Sequence, residues 1–469
     1  MSIRIFGHYV SFPLILLVLA ETIIHIGAVY AAGAARYLDI HFQLKTVDEQ
    51  IISVLPRAAL YALVMLVVMT VFGLYGSQLR QDNHEYRARF LASFPAAAAA
   101  MVIIFYAIPQ SFLGRGIMAL SLLFSFVGTH LARTLFFRLI GHEALKRRVL
   151  VLGGGSRALE VEALLHRLGP GAGFQLVGFA SCGDERRPPA KSTLLGDCKS
   201  LRALVKQHRI DEIVVGVRDR RNGHLSMQDL FECKLEGVSI VDLPTFFERE
   251  TGVIQLMTLS KSWLVYSEGF YKSLCRRLLK HMFDACVGAV MLIVALPVML
   301  LAALAILLET GRPVLYRQTR VGERGKVFEI LKFRSMRVDA EKDGVAQWAR
   351  KNDDRTTRVG RFLRQTRIDE LPQLINVLRG EMSFVGPRPE RPPFVTEISR
   401  TVPAYPTRHS VKPGITGWAQ IRYPYGASVE DAAQKLQFDL YYVKNHSLFL
   451  DLVIMFQTAQ VVLFSKGAR

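Results

Sequence analysis

Apolar residues are concentrated in long blocks along this chain. Four blocks fill the first 140 residues, at about 10–33, 58–76, 90–109 and 116–137. Each holds roughly 20 residues, enough for a helix to cross the ~30 Å hydrocarbon core of a membrane. The pattern therefore predicts a membrane protein that begins with a bundle of four transmembrane helices over 1–140.

Basic residues around these blocks predict their orientation. Only Arg115 lies between the third and fourth blocks, whereas basic residues are frequent after the second and fourth (Arg80, Arg87, Arg89, Arg138, Lys146, Arg147 and Arg148). Cytoplasmic loops carry an excess of lysine and arginine. We therefore expect a cytoplasmic amino terminus without a cleavable signal peptide, and a chain that returns to the cytoplasm after four spans.

Between 147 and 250 the pattern changes to short β-branched runs that alternate with helical stretches. The segment RVLVLGGGSRALE predicts a strand, a glycine turn and a helix, and further strand candidates are 174–180, 212–217 and 238–244. Alternating strands and helices favour a parallel sheet. We expect an α/β, Rossmann-like domain over 147–250.

The glycines of this domain raise the question of a bound nucleotide. Gly153, Gly155 and Ala158 fit the G-x-G-x-x-G/A dinucleotide fingerprint after a strand. The acidic residue that should end the second strand is badly placed, because Asp184 lies beyond its end, and no Tyr-x-x-x-Lys motif follows. A structural or regulatory domain without a nucleotide is favoured, with dinucleotide binding as the alternative.

A fifth apolar block, 285–308, contains no charge and has Pro297 in its middle. Basic residues flank it on both sides (Arg276, Arg277, Lys280, Arg312, Arg317 and Arg320). Proline removes one helical hydrogen bond and kinks a helix. Charge alone leaves two alternatives open: a fifth span, or a re-entrant hairpin over 278–309 that bends at Pro297 and returns to the same side.

The rest of the chain is polar and basic, and one more apolar stretch, 447–464, predicts an interfacial helix. Hydrophobic residues make up 51% of the chain and the net charge is +19. This combination favours a membrane protein that meets anionic lipid or phosphorylated substrates, and no nucleic-acid-binding motif is present in the sequence. The five cysteines form no C-x-x-C pair, so buried free thiols are expected rather than a zinc site.

The most informative block is 353–391, DDRTTRVGRFLRQTRIDELPQLINVLRGEMSFVGPRPER. Its apolar residues recur at helical spacing and predict an amphipathic helix over much of the block. Arg364 and Arg367 precede two adjacent carboxylates, Asp369 and Glu370. Such a group can hold a divalent metal and a phosphate, and a carboxylate can attack phosphorus. A solvated helix face with ion pairs is the alternative.

Three motifs, taken in order, resemble one known family. TRIDELPQLINVLRGEMSFVGPRP, KVFEILKFRSM at 326–336 and RHSVKPGITGWAQ at 408–420 are similar to motifs of the bacterial polyprenyl-phosphate hexose-1-phosphate transferases, the monotopic-type phosphoglycosyl transferases. The resemblance covers about 270–465. The preceding spans and α/β domain resemble the long-chain branch, and GWAQIRYPYGAS resembles a subgroup from exopolysaccharide clusters linked to exosortase systems.

The resemblance implies an enzyme that transfers a sugar 1-phosphate from a UDP-sugar to a polyprenyl phosphate, with undecaprenyl as the expected chain, and so initiates exopolysaccharide assembly. It assigns 270–469 to an α/β catalytic domain. The family's Asp-Glu dyad falls on Asp369 and Glu370. Asp369 would attack the β-phosphorus, release UMP and carry the sugar phosphate, and the two carboxylates would hold Mg²⁺.

The resemblance implies phosphate- and uridine-contacting residues at Lys332, Arg364 and Arg388, and the predicted substrate-side set also includes Arg334, Arg367, Arg422 and Asp451. Arg388 lies between two prolines that stiffen its loop. Arg422 is shifted relative to the arginine that often follows GxAQ in the family, and Asp451 matches a family carboxylate whose role is open. Leu296 replaces the serine that often precedes the hairpin proline, so a kink at Pro297 is expected without the capping hydroxyl.

The implied substrate decides between the two topologies of the fifth block. UDP-sugars are cytoplasmic, so the re-entrant hairpin is favoured, in a multi-pass protein of the bacterial inner membrane with a cytoplasmic catalytic domain. The expected partners are the UDP-sugar, the polyprenyl phosphate, membrane lipid and a second copy in a homodimer, but no nucleic acid. Two alternative functions are a non-catalytic scaffold for polysaccharide assembly and an NAD-dependent sugar-nucleotide-modifying enzyme that uses 147–250.

Overall fold

The computed structural model describes the following residues: 2–5, 8–37, 47–75, 83–140, 146–153, 156–168, 173–182, 194–217, 226–256, 269–270, 273–337, 355–423 and 428–464. The chain divides into two compact units, one of residues 1–5 and 9–250 and the other of residues 6–8 and 251–469. Two short strands, β1 (Ser2–Ile5) and β2 (His8–Ser11), pair near the amino terminus.

Four long helices open the first unit: α1 (Phe12–Tyr37), α2 (Val47–Val71), α3 (Asn83–Ala107) and α4 (Arg115–Ile140). Each contains a segment long and apolar enough to cross a membrane, which confirms the four predicted apolar helices. Helix α1 packs against α2 and α4, and α3 also packs against α2 and α4. Many large apolar side chains point outward, among them Ile23, Ile103 and Leu131.

A charged pair lies inside these helices. Glu21 of α1 and Arg133 of α4 are buried and form an ion pair through Arg133 Nε. The Tyr75 hydroxyl donates to Glu21 Oε2 across 2.5 Å, and Arg133 Nη1 donates to the Leu74 carbonyl and the Tyr86 hydroxyl at 3.1 and 3.0 Å. Each charge is thus hydrogen-bonded in several directions, as a buried ion pair requires.

The rest of the first unit is an α/β domain. Its elements are β3 (Arg147–Leu152), α5 (Ser156–Leu168), β4 (Phe174–Ser181), β5 (Leu194–Asp197), α6 (Leu201–His208), β6 (Glu212–Val215), α7 (Met227–Leu235), β7 (Ser239–Asp242) and α8 (Leu243–Thr251). The five strands are parallel in the order β5-β4-β3-β6-β7. This order confirms the predicted parallel α/β sheet.

The glycine turn after β3 is described only at its start. Gly153 has a φ of +107°, and a Cβ there would lie 3.3 Å from the backbone nitrogen of Val217. Close packing against the neighbouring strand and a backbone conformation that other residues rarely adopt both require glycine here. Gly155 and the side chain of Ala158 lie outside the described residues, so the fingerprint stays a prediction.

The cysteines differ from expectation. Cys182 and Cys198 form a disulfide between the end of β4 and the turn after β5, so the expectation of free thiols is wrong for this pair. Cys233 is a buried free thiol, as expected, whereas Cys275 and Cys286 are free but exposed. The exposed pair lies on a helix whose outer face is apolar.

The second unit begins with a helix of 37 residues, α9 (Leu274–Thr310). The helix continues through Pro297, so its secondary structure is a single helix rather than two helices separated by a turn. Apolar side chains are exposed on both sides of the proline, including Ile293 and Leu301. The re-entrant path stays a prediction at this point.

The catalytic-domain candidate follows α9. Its elements are β8 (Leu315–Val321), β9 (Val327–Phe333), α10 (Arg358–Gln365), α11 (Gln373–Leu378), β10 (Ser383–Val385), α12 (Pro392–Thr401), β11 (Gly414–Thr416), α13 (Trp418–Arg422), α14 (Val429–Asn445) and α15 (Leu448–Phe464). Strands β8 and β9 are antiparallel, and β10 and β11 are parallel. Leu436, Leu440 and Trp418 lie in the core that joins α14 to the strands.

Candidate active site

The Asp-Glu dyad lies on a break between two short helices. Helix α10 ends at Gln365, Arg367 has a φ of +60°, and a 3-10 turn covers Ile368–Glu370. The predicted amphipathic helix is therefore interrupted. One reason is the left-handed backbone conformation of Arg367. The other is Pro372, which has no amide hydrogen to donate in a continuing helix. The break turns Asp369 into the protein, where it is 7% exposed.

Asp369 is a buried carboxylate with one unpartnered oxygen. Its Oδ1 atom accepts no hydrogen bond from any described residue. Burial and then the charge of Glu370 raise the pKa of Asp369, and the cations Lys332, Arg364 and Arg367 offset only part of this rise. A carboxylate that is desolvated and unpartnered is a stronger nucleophile than one hydrated by solvent.

Glu370 is surrounded by cations. Lys332 Nζ and Arg388 Nη2 each lie 3.0 Å from Glu370 Oε1, and Arg367 Nη1 lies 3.8 Å from Oε2. Burial alone would raise the pKa of Glu370, but the charges of Lys332, Arg388 and Arg367 outweigh it and hold the pKa well below its ordinary value. Glu370 is therefore ionised at any working pH.

The basic residues on β9 and near its end make different contacts. Lys332 lies within β9, and Arg334 follows the strand end. Arg364 donates from Nε to Ser335 Oγ across 2.9 Å and acts on Asp369 through its charge. Arg334 instead donates to the carbonyls of Thr310 and Gly311 at 3.0 and 2.8 Å, so its hydrogen bonds hold the end of α9.

Two of the predicted substrate-side residues have their contacts elsewhere in the unit. The Arg422 guanidinium lies over the Trp418 ring, 4.4 Å from its centroid. Asp451 is 1% exposed, and its neighbours are Lys280 and Tyr442. Among the described residues, the structure gives neither of them a contact with Asp369 or Glu370.

Sequence reasoning missed a buried arginine that supports the Arg388 loop. Arg408 donates from Nη2 to the Arg388 carbonyl across 3.0 Å and forms an ion pair with Asp439 at 2.7 Å. Its Nη1 donates to the Tyr405 hydroxyl. A single arginine in a polar segment carries no local signal of burial. The one available hint was its place at the start of the RHSVKPG motif.

A second missed residue, Asn376 of α11, joins the dyad segment to β9. Its Oδ1 accepts from the Leu331 amide at 3.0 Å, and its Nδ2 donates to the Glu329 carbonyl at 2.8 Å. These bonds fix the strand on either side of Ile330, next to Lys332. Asn376 is fully buried. Its signal in the sequence was an amide among the apolar residues of α11.

The basic residues open onto a cleft. Lys332 and Arg388 line it together with Arg320, and Gln373 and Pro389 complete this part of the wall. Cations on a cleft wall favour an anionic ligand, and arginine forks match phosphate oxygens. The arrangement can therefore neutralise the charge of a phosphate group next to Glu370.

The donor set decides how a divalent cation would fit. Among the described residues, no group of three or more histidine, cysteine or carboxylate side chains is placed to hold a metal. Mg²⁺ usually binds one or two protein carboxylates together with substrate phosphates and water. Asp369, whose buried Oδ1 accepts no hydrogen bond from the described residues, and the adjacent Glu370 fit that mode, with phosphate supplying the remaining ligands.

Comparisons with known proteins agree with this geometry. A family model described as bacterial sugar transferase matches 275–465, and one described as CoA-binding domain matches 70–222. The chain is 39% identical to the UDP-N-acetylgalactosamine-undecaprenyl-phosphate N-acetylgalactosaminephosphotransferase of Aeromonas hydrophila, over 56% of this chain and 61% of the relative.

Two glucose-1-phosphate transferases are also similar. The chain is 44% identical to the UDP-glucose:undecaprenyl-phosphate glucose-1-phosphate transferase of Escherichia coli (strain K12), over 41% of this chain and 42% of the relative. It is 32% identical to the enzyme of that name from Xanthomonas campestris pv. campestris, over 76% of this chain and 75% of the relative. It thus covers less than two thirds of the Aeromonas and Escherichia proteins.

The similarity to the Xanthomonas enzyme extends through most of both chains, and the family model includes the dyad segment. The carboxylates and cations described above lie within that matched region. The chain therefore belongs to the bacterial sugar transferases, in the family of polyprenyl-phosphate hexose-1-phosphate transferases.

Proposed function

We propose that this protein transfers a sugar 1-phosphate from a UDP-sugar to undecaprenyl phosphate through a covalent intermediate on Asp369. The observation that carries the proposal is the buried Oδ1 of Asp369, which accepts no hydrogen bond from the described residues and lies next to a carboxylate that three cations surround. The names of the relatives, which include undecaprenyl-phosphate sugar phosphotransferases, support the substrate class. The product would be the first lipid-linked sugar of an exopolysaccharide.

In the first step the UDP-sugar diphosphate lies in the cationic cleft. An ionised Asp369 oxygen attacks the phosphorus that bears the sugar, and the bond from that phosphorus to the bridging oxygen breaks. UMP leaves with the electron pair, and the sugar phosphate stays on Asp369 as an acyl phosphate. Lys332 and Arg388, which line the cleft, would balance the charge that develops on the leaving phosphate.

In the second step an oxygen of the lipid phosphate attacks the same phosphorus. The bond to Asp369 breaks, the carboxylate is restored, and the sugar is left on a polyprenyl diphosphate. Two displacements at one phosphorus allow both substrates to use the same cations in turn. Arg364 and Arg367, whose charges act on Asp369, would stabilise the restored carboxylate.

Asp369 and Glu370 would hold Mg²⁺ together with the diphosphate. When bound, the ion would neutralise phosphate charge and polarise the phosphorus. Glu370 already faces Lys332 and Arg388, so it would share its oxygens between these cations and the metal. Asp369 Oδ1 accepts no hydrogen bond from the described residues, so a metal bound there would not have to displace a protein cation.

The contacts of α9 support a re-entrant path. Near its start Lys280 lies 2.8 Å from Asp451, and at its end Arg334 donates to the Thr310 carbonyl. A straight helix of 37 residues would be about 55 Å long, enough to place its ends on opposite sides of a ~30 Å core. Contacts of both ends with one polar unit favour a helix that bends near Pro297 and returns. With four spans before it, the catalytic domain would be cytoplasmic.

The test is UMP release from a panel of UDP-sugars, with Mg²⁺ and undecaprenyl phosphate, by the full chain in lipid nanodiscs. The wild type should release UMP with one donor, and chelation of the metal should stop the release. Without lipid acceptor it should give about one UMP per enzyme and a peptide containing Asp369 that is heavier by one sugar phosphate. The Asp369→Asn variant should do neither.

Asp431→Asn is the matched control, because it makes the same chemical change at a carboxylate that caps α14. It should keep wild-type turnover. A folded wild type that releases no UMP from any donor would reject the transferase proposal. Release by Asp369→Asn at the wild-type rate would reject Asp369 as the nucleophile.

A further inference from the structure

Four ionisable side chains meet where α9, α14 and α15 converge on β10. Lys280 Nζ lies 2.8 Å from Asp451 Oδ2 and 3.2 Å from Asp284 Oδ1. Tyr442 lies on the other side of Asp451, and Asp284, Asp451 and Tyr442 are all buried. Among the described residues, this cluster makes no direct contact with Asp369 or Glu370.

The hydrogen bonds of Tyr442 require one more hydrogen than the phenol has. Its oxygen lies 2.8 Å from the Val385 carbonyl and 2.8 Å from Asp451 Oδ1. Burial and the charges of Asp451 and Asp284 raise the pKa of Tyr442 well above its ordinary value, so the phenol keeps its single hydrogen. A carbonyl can only accept. Both short contacts can be hydrogen bonds only when the Asp451 carboxyl group is protonated and donates to the Tyr442 oxygen.

The charges of the cluster lead to the same conclusion. Lys280 supplies one positive charge for two carboxyl groups, and Asp284 already accepts from both Lys280 and the Phe384 amide. With Asp451 ionised, the buried cluster would carry a net negative charge, which is costly in a desolvated place. With Asp451 neutral, the cluster has no net charge: Oδ2 faces the Lys280 ammonium 2.8 Å away, and Oδ1–H donates to Tyr442.

Among the residues that the structure describes, few other charged groups surround Asp451. Helix α9 contributes Lys280 and Asp284, and α14 contributes Tyr442. His446 follows the end of α14, and its ring centroid lies 6.0 Å from that of Tyr442. Strand β10 carries no titratable residue, and Asp451 is the one titratable residue of α15. Burial raises the pKa of Asp451, and Lys280 and Tyr442 offset only part of this rise.

We propose that Asp451 is a neutral carboxylic acid in the working protein and acts as a positioning residue. Its hydrogen orients the Tyr442 hydroxyl, which holds the Val385 carbonyl at the end of β10. Gly386 and Pro387 lead directly from Val385 to Arg388, and a Cβ at Gly386 would collide with the Lys412 carbonyl. The loop therefore has little freedom, and its anchor at Val385 sets the reach of Arg388 toward Glu370. The effect of this anchor on Arg388 rests on the proposed function.

The experiment compares the wild type with Asp451→Asn, Asp451→Ala and Tyr442→Phe, each as the full chain in nanodiscs. Asparagine keeps a neutral donor and an acceptor in place of the acid. The thermal midpoint of each protein is measured from about pH 5 to about pH 8. UMP release is measured at the same time, with KM for the UDP-sugar and kcat taken separately.

The sign of the pH effect separates a neutral Asp451 from an ionised one. The unfolded aspartic acid loses its proton near about pH 4. Above that pH the native wild type binds the extra proton, so its unfolding equilibrium constant rises about tenfold per pH unit relative to Asp451→Asn. The thermal midpoint of Asp451→Asn should therefore increase relative to that of the wild type as pH rises. A constant difference, or a wild type that is always more stable, would show an ionised Asp451 paired with Lys280 and overturn the proposal.

The kinetic arm tests positioning. Asp451→Asn should keep KM within about threefold of the wild type, whereas Asp451→Ala and Tyr442→Phe should raise KM about tenfold with a smaller change in kcat. Tyr442→Phe serves if the alanine variant does not fold. Equal damage in the asparagine and alanine variants would reject the positioning role. If the wild type releases no UMP, the proposed function fails, but the thermal arm still decides the protonation of Asp451.

Discussion

Arg408 donates a hydrogen bond from Nη2 to the backbone carbonyl of Arg388, 3.0 Å away. The same guanidinium forms an ion pair with Asp439, and both side chains are buried. The side chain of the same residue, Arg388, lies 3.0 Å from Glu370. Arg408 thus links the interior of the second unit to the cationic wall of the cleft.

We predict that Arg408→Lys raises KM for the UDP-sugar about tenfold, a loss of about 1.4 kcal/mol of binding free energy. A lysine ammonium lacks the planar fork that reaches Asp439, Tyr405 and the Arg388 carbonyl at once. Steady-state kinetics of UMP release measure the effect. Arg400→Lys, on the surface helix α12, is the matched control and should leave KM unchanged. An unchanged KM in folded Arg408→Lys would remove Arg408 from the support of Arg388.

A second prediction concerns the acid limb of the pH profile. Burial and Glu370 raise the pKa of Asp369, and only the ionised carboxylate can attack phosphorus. As pH falls through this raised pKa, the fraction of ionised Asp369 falls tenfold per pH unit. The value of kcat/KM should therefore begin to fall at a pH above the ordinary aspartate pKa of about 3.9. A profile of kcat/KM against pH measures the pH at which this fall begins. A profile that stays flat down to the ordinary aspartate pKa would contradict the prediction.

The sequence predicted the elements of this site better than their local geometry. The motif at 353–391 located Asp369, Glu370 and Arg388, and the structure brings Glu370 and Arg388 together across 18 residues of chain. The same block read as one amphipathic helix, because helical periodicity does not report a left-handed residue such as Arg367. That break directs Asp369 inward. Its prediction would have required knowledge of the packing around the turn.

The longer elements were easier to predict. The four apolar blocks and the parallel strands of the first unit follow from patterns that extend over many residues, and each block forms a helix. The supports of the site could not be predicted in this way. Asn376 and Arg408 act on residues 45 and 20 positions away in sequence, and no local pattern encodes such pairs.

A third prediction follows from the charge of Glu370. Glu370→Gln removes the neighbouring charge that helps to raise the pKa of Asp369, so the acid limb should move to lower pH. The variant should also turn over more slowly, because it removes one expected metal ligand. The measurement is the pH profile of the residual UMP release at saturating Mg²⁺. A shift of the acid limb to higher pH would contradict the coupling between the two carboxylates.

Asn376 provides a fourth test, because its amide holds the backbone of β9 beside Lys332. In Asn376→Leu the Leu331 amide and the Glu329 carbonyl lose their partner, at a cost of about 1–3 kcal/mol for each buried group left unsatisfied. The thermal midpoint should fall, and KM should rise more than kcat falls. Asn376→Asp keeps the acceptor for the Leu331 amide, but it puts a buried carboxylate beside Glu381 Oε2, which accepts from Asn376 Nδ2 across 2.7 Å in the wild type. Its midpoint should therefore be lower than that of Asn376→Leu. An aspartate variant more stable than the leucine variant would show that the retained bond outweighs the added charge.

The last prediction concerns the ion pair inside the four amino-terminal helices. In Glu21→Gln the buried Arg133 loses its counter-charge, which should lower the free energy of unfolding by about 3–5 kcal/mol. Replacing both residues with apolar ones, as in Glu21→Leu with Arg133→Met, should recover much of that loss, since two desolvated charges are then removed together. Ile23→Leu, at a position that is 71% exposed on the apolar surface, is the control and should change little. The thermal midpoints of the three variants in nanodiscs provide the comparison. A double variant less stable than Glu21→Gln would mean that the hydrogen bonds of Arg133 to Leu74 and Tyr86 contribute more than its desolvation costs.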